Sequence, residues 1–88
     1  MNPLVSDNKE VIHWWVVEAY LEGLWRPDGV ARDIFLDGHI SRMAYIPGVA
    51  WAIFASWKHH RPRYHYFTHP DFRRRGIASL LQALIIRG

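Results

Sequence analysis

The fold prediction depends on one segment near the end of the chain, THPDFRRRGIASLL, which spans Thr68–Leu81. A β-rich, aromatic stretch runs into Pro70, and three consecutive arginines follow at Arg73–Arg75. Gly76 comes next, and apolar residues then recur at helical spacing from Ile77 onward. Backbone N–H groups at a helix N-terminus, beside fixed positive charge, form a binding site for a phosphate. The segment therefore predicts a strand, a loop and a helix, with an anion site where loop and helix meet.

The motif within this segment is Arg73-x-x-Gly76-x-Ala78, preceded by Pro70 and followed by two leucines. It resembles the acyl-CoA-binding signature Q/R-x-x-G-x-G/A of the GNAT superfamily of N-acetyltransferases. Three fixed positions recur by chance, so the hexad alone is weak, and the preceding strand and following helix supply the context that it needs. The alternative interpretation is a basic loop that caps an ordinary helix. The direct resemblance covers about residues 64–86.

The resemblance implies a CoA-type ligand, acetyl-CoA, which would serve as cosubstrate for transfer of an acetyl group to an amine. In this family the strand before the signature hydrogen-bonds the pantetheine arm through its main chain, at positions that match Tyr66 to Thr68 here. The loop amides hold the pyrophosphate. The implied cofactor-binding residues are Phe67, Thr68, Arg73, Arg74, Arg75, Gly76, Ile77, Ala78 and Ser79.

Candidate catalytic residues are few. Acetyl transfer needs a base for the amine and an acid for the leaving thiolate, and the family often takes its base from a carboxylate on the central strands. Residues 38–70 contain no Asp or Glu, so His65, or His69 at the bend, is the candidate base, and Tyr66 or Tyr64 is the candidate acid. The alternative for each is an ordinary strand side chain without chemistry. The chain has no cysteine, and the adjacent His59 and His60 do not match metal-ligand spacing, so we expect no metal.

The 88 residues predict one α+β domain, 1–88, with a partial GNAT-like fold. A capping box of Asp7 and Glu10 predicts a helix that runs to about Trp25. The segment Val30–Leu36 could be a second helix or a strand. A three-stranded antiparallel sheet and a C-terminal CoA-type helix should follow. The predicted strands are His39–Ile46, Val49–Lys58 and Arg63–His69, and the helix starts near Ile77 and can end at Gly88. The strand Val49–Lys58 is apolar on both faces, so layers should cover both sides of the sheet.

The predicted domain is truncated relative to the family. A GNAT domain continues after this helix with a strand that splays from the preceding one, then another helix and usually two more strands. Those parts form one wall of the pantetheine slot and often supply a tyrosine that acts as general acid. We therefore expect any acetyltransferase activity to be weak or to depend on a second chain.

The first predicted helix carries two apolar stripes. Ile12, Trp15, Val16 and Ala19 form one, and a surface helix of a small domain needs only one. Because the second stripe lies on a different side, the helix should be buried on two sides. Either both sides are covered within this chain, or the second side is a protein–protein interface centred on Trp14, in a homo-oligomer such as a dimer or with a partner protein. The residues of the second stripe are Trp14, Val17, Leu21 and Leu24. The alternative function is accordingly a non-catalytic interaction module, such as a small regulator, an inhibitor or an assembly component.

Charge is distributed unevenly, and the net charge is +3 with histidine neutral. The second half of the chain is cationic, which indicates an anionic ligand or partner such as CoA or nucleic acid. Nucleic-acid binding ranks third, because no nucleic-acid signature accompanies the arginines. No segment approaches the ~18 apolar residues of a membrane span, and the first residues do not form a signal peptide. The sequence is thus expected to be cytoplasmic, with no membrane partner.

Overall fold

A computed structural model describes residues 2–24, 34 and 38–87 of the chain, without the side chain of residue 87. Strand β1 and helix α1 come first, and strands β2, β3 and β4 follow. A single turn of 3-10 helix at Pro70–Phe72 then leads into helix α2. The bounds are β1 Leu4–Ser6, α1 Lys9–Leu21, β2 His39–Ile46, β3 Ala50–Ser56, β4 Arg63–Thr68 and α2 Ile77–Arg87. Trp25, Gly88 and the segment 30–36 apart from Ile34 lie outside the described residues.

The four strands form one antiparallel sheet in the order β1-β2-β3-β4. The α+β class and antiparallel strands are as predicted, but the predicted count of three strands is wrong. Strand β1, which pairs Leu4 with Tyr45 and Ser6 with Met43, was missed. Three residues are too few to show the alternation that identifies a strand in a sequence. β1 is a strand because its backbone pairs with β2.

Two apolar clusters cover the two faces of the sheet, as the apolar pattern on both faces of β3 predicted. On one face, Trp51, Ile53 and Ala55 of β3 pack with Ile12 and Ala19 of α1. On the other face, Ala50 and Ala52 pack with three residues of α2, which are Ile77, Leu81 and Ile85. Since every second side chain of a strand points to the same face, β3 separates the two clusters.

Helix α1 begins one residue later than the predicted capping box. Its N-cap is Asn8, whose side-chain oxygen accepts hydrogen bonds from the amides of Glu10 and Val11. Asp7 instead lies 3.7 Å from the guanidinium of Arg42 on β2. The prediction was wrong here because Asp and Asn are both good N-caps, and only the three-dimensional position of Arg42 distinguishes them.

The helix also ends earlier, at Leu21, in a Schellman motif. The Leu24 amide donates to the Ala19 carbonyl at 2.9 Å, and the Gly23 amide donates to the Tyr20 carbonyl at 3.0 Å. Gly23 has a φ of +74°, the left-handed conformation that this motif requires. The motif turns the chain so that Leu24 enters the core with only 1% of its surface exposed. Leu24 therefore does not share an exposed stripe with Trp14 and Leu21.

Candidate functional site

The loop between β4 and α2 has an unusual backbone. After the turn at Pro70–Phe72, Arg73 is extended, and Arg74 and Gly76 have φ values of +66° and +72°. A left-handed conformation costs a non-glycine residue roughly 1–2 kcal/mol, so the fold holds Arg74 in an uncommon geometry. Such conformations expose backbone N–H groups in concave loops that suit anions.

Helix α2 begins without a protein partner for its first amides among the described residues. The first helical hydrogen bond runs from the Leu80 amide to the Gly76 carbonyl, at 3.1 Å. Gly76 has no side chain that could accept a bond as an N-cap, and the first turn contains no acidic residue. The amides of Ile77, Ala78 and Ser79 therefore precede the hydrogen-bond ladder of the helix. Their partial positive charge is left for an external acceptor.

The arginines of the loop differ in what they contact. Arg73 Nε donates to the Thr68 carbonyl at 3.1 Å, which folds its side chain back onto the end of β4. The Arg75 guanidinium lies 5.6 Å from the ring centre of Phe72. Within the described part of the chain, no carboxylate pairs with any of Arg73–Arg75. The positive charge of the loop is therefore not neutralised internally.

These parts enclose one open cavity of about 480 Å³ between the end of β4 and the start of α2. The cavity gathers every predicted cofactor-binding residue except Arg75, whose side chain lies against Phe72. It also includes Tyr66 and Phe72. Phe72 carries no sequence signal of a site beyond its position between Pro70 and the arginines. The residues that line the cavity are Tyr66, Phe67, Thr68, Phe72, Arg73, Arg74, Gly76, Ile77, Ala78 and Ser79.

The outer edge of β4 faces the same region. The His69 amide donates to the Val49 carbonyl at 2.7 Å, in line with the β3–β4 register. Because bonded and non-bonded pairs alternate in an antiparallel ladder, the polar main-chain groups of Phe67 point toward β3. Those of Tyr66 and Thr68 point to the open edge, and the bond from Arg73 to the Thr68 carbonyl agrees with this. Tyr66 thus presents its main-chain N–H and C=O to an incoming ligand.

The candidate base His65 and the candidate acid Tyr66 are not brought together. His65 pairs with Ile53, which packs against α1, whereas Tyr66 pairs with Ala52, which packs against α2. Side chains of paired residues share a face, so His65 and Tyr66 lie on opposite sides of the sheet. Burial lowers the pKa of His65, and the positive charge of Arg63 lowers it further. Burial raises the pKa of Tyr66, with a smaller contribution from Tyr64.

His65 belongs to a second cavity, of about 240 Å³, on the α1 face of the sheet. Trp57 and His60, whose rings stack with centres 5.6 Å apart, line it together with Arg61 and Arg63. Ile34 and Ala55 are the apolar lining residues. Reasoning from the sequence alone missed this cavity, because its residues come from the ends of β3 and β4 and their separation in sequence carries no known motif.

The described residues contain no group of three or more His, Cys, Asp or Glu side chains that could hold a metal ion. None of the described helices has the length and apolar character that would let it cross a membrane.

No family model, curated protein or solved structure matches the chain.

Proposed function

We propose that the chain binds an acyl-CoA-type ligand, with the ligand's diphosphate at the loop 73–79. The observation that carries the proposal is the cavity of about 480 Å³, which gathers the predicted residues of the loop, of β4 and of α2. The element order also supports the proposal, because antiparallel strands lead directly into the helix that carries the motif, as in the GNAT family that the motif resembles.

The charge of the site favours a diphosphate. Free amides at the start of α2 can each donate to a phosphate oxygen, and nearby guanidinium groups add charge-assisted hydrogen bonds. Gly76 leaves the approach open, since a Cβ built there would meet no heavy atom within 4 Å. A multiply charged phosphate ester would therefore gain bonds that a neutral ligand could not form.

The edge of β4 suits the pantetheine arm of the same ligand. That arm contains amide groups, which can pair with an exposed strand edge as an added strand does. The Tyr66 main chain is the free pairing site, because Arg73 already engages the Thr68 carbonyl. We expect the arm to leave the loop along β4 past Tyr66.

N-acetyl transfer is the activity that this ligand would serve. Tyr66 lies on the same face as the loop cavity and is the side chain placed to contact an acyl group there. The proposed role for Tyr66 is proton donation to the leaving thiolate, since burial raises the pKa of its phenol and the phenol is therefore protonated near neutral pH. His65 lies on the other face of the sheet and lines the other cavity, so its side chain does not face an acyl group in the loop cavity, and we assign it no role as base in the transfer.

Calorimetric titration with CoA and with pantetheine tests the proposal. CoA is expected to bind and pantetheine to bind at least about tenfold more weakly, since it lacks the diphosphate. Gly76→Asp should abolish binding, because its carboxylate would occupy the anion site. Gly23→Asp is the matched control, since Gly23 has a similar φ and similarly open space but lies at the end of α1. Absence of CoA binding by the wild type at ~1 mM would overturn the proposal.

A second candidate function, protein–protein interaction, is favoured by the exposed side of α1. Trp14 is 65% exposed and Leu21 is 75% exposed, on a helix whose other side is in the core. Large exposed apolar side chains that cluster mark interaction surfaces. We propose that this surface, Trp14 and Leu21 with the half-buried Val17, mediates self-association.

A further inference from the structure

We propose that the cavity on the α1 face is a second binding site, which takes a small molecule with a flat apolar body and a single carboxylate. The proposal is independent of the CoA proposal. The cavity lies on the opposite face of the sheet from loop 73–79, and the two cavities share no lining residue.

The apolar part of the cavity suits a ring. Ala55 and Ile34 are buried beneath it, and Trp57 and His60, whose rings stack on each other, line it as well. The Lys58 Nζ lies 4.5 Å from the centre of the Trp57 ring. Aromatic walls favour flat ligands, because stacked and edge-to-face ring contacts add to the area that is buried. A volume of about 240 Å³ lies below the range of typical drug-sized pockets, ~300–1,000 Å³. The site therefore fits a one-ring molecule rather than a nucleotide.

The polar part of the cavity selects an anion. Arg61 and Arg63 line it, and no carboxylate of the described residues pairs with either. None of the described residues that line the cavity is acidic. A guanidinium binds a carboxylate through two parallel hydrogen bonds. His65 has a pKa lowered by burial, so near neutral pH it would contribute a hydrogen bond rather than a charge.

The indole N–H of Trp57, at the cavity, lacks a hydrogen-bond acceptor among the described residues. Its Nε1 atom is buried. Buried polar groups are usually hydrogen-bonded. A carboxylate held beside Trp57 would supply an acceptor after a small rotation of the ring.

The experiment compares three probes by calorimetry: benzoate, its neutral isostere benzamide, and inorganic phosphate. Benzoate is expected to bind with a Kd below ~5 mM, and the other two at least about tenfold more weakly. If benzamide bound as tightly as benzoate, the charge of the ligand would not matter. If phosphate bound as tightly as benzoate, the ring would not matter. Either result, or no benzoate binding at ~10 mM, would overturn the proposal.

Variants locate the benzoate site. Arg63→Gln should weaken benzoate binding about tenfold and leave the affinity for CoA unchanged. Lys9→Gln is the matched control, because it removes one positive charge from an exposed site on α1 and should not alter benzoate binding. Arg61→Gln gives a second test if Arg63→Gln destabilises the fold. Unchanged benzoate affinity in both arginine variants would refute the site. Loss of CoA binding alone would refute only the proposed function.

Discussion

His65 and Tyr66 are neighbours on β4, yet their side chains line different cavities on opposite faces of the sheet. The alternation of a strand makes this separation unavoidable. Each side chain therefore reports on one cavity. Substitutions at these two positions can separate binding at the loop from binding at the α1 face.

Tyr66→Ala is expected to weaken acetyl-CoA binding about threefold to tenfold, because the phenol ring lines the loop cavity. His65→Ala should leave that affinity unchanged. Tyr64→Ala is the matched control, since Tyr64 is a tyrosine on the same face as Tyr66, contacts Phe54 and does not line the loop cavity. Calorimetry of the three variants measures the effect. A loss of affinity in Tyr64→Ala equal to that in Tyr66→Ala would show that a general disturbance of β4 is responsible.

The sequence predicted the parts of the fold that have clear periodicity. The bounds of β2, the two apolar faces of β3 and the start of α2 at Ile77 are as expected. The strand, the bend at Pro70 and the helix start around loop 73–79 were predicted as well, because a glycine, a proline and a helix start are local signals. These signals place neighbouring residues without any knowledge of tertiary contacts. The binding role of these residues comes from the resemblance of the motif and stays a prediction.

Other features depend on tertiary contacts and could not be predicted. β1 exists because its three residues pair with β2. Leu24 was placed on an exposed stripe because the helix was expected to continue, whereas the turn at Gly23 sends it into the core. The cavity around Trp57 joins the ends of two strands, and no sequence period relates them.

Glu22, at the end of α1, is hydrogen-bonded to Tyr45 of the sheet, and loss of this bond should lower the free energy of unfolding. Its Oε2 accepts a hydrogen bond from the Tyr45 hydroxyl at 2.8 Å and another from the Gly48 amide at 2.7 Å. Tyr45→Phe should reduce the free energy of unfolding by about 1.5–3 kcal/mol, the range for bonds to charged groups. Urea unfolding measures the change. Stability equal to that of the wild type would show that the bond contributes nothing net.

The hydrogen bond between Tyr45 and Glu22 also predicts that the free energy of unfolding depends on pH. Burial, and then the hydrogen bond and negative charge of Glu22, raise the pKa of Tyr45 above its usual value. Unfolding then releases a proton at alkaline pH, so the stabilisation from neutral Tyr45 is full below pH ~10 and falls above it. The stability difference between wild type and Tyr45→Phe should shrink by up to ~1.4 kcal/mol per pH unit above pH ~10.

Arg42 joins α2 to the sheet, and its two contacts should contribute differently to the free energy of unfolding. Its Nη1 donates to the Ile85 carbonyl at 3.1 Å, whereas its Nη2 lies 3.7 Å from Asp7, whose side chain is 75% exposed. Arg42→Met should cost about 1–2 kcal/mol, because a carbonyl near the end of α2 loses its partner. Asp7→Asn should cost less than ~0.5 kcal/mol, since exposed ion pairs contribute little. Equal costs in urea unfolding would contradict this ranking.

Trp14→Glu is expected to convert a self-associated wild type into monomers. Trp14 and Leu21 are exposed on one side of α1, and the outer edges of β1 and β4 are unpaired among the described residues. A buried charge at an apolar interface is costly, so a single substitution should suffice. Gln82→Glu is the matched control, since it makes the same charge change at an exposed site on α2. Light scattering measures both variants, and a monomeric wild type at ~100 μM would exclude an interface of ordinary micromolar affinity.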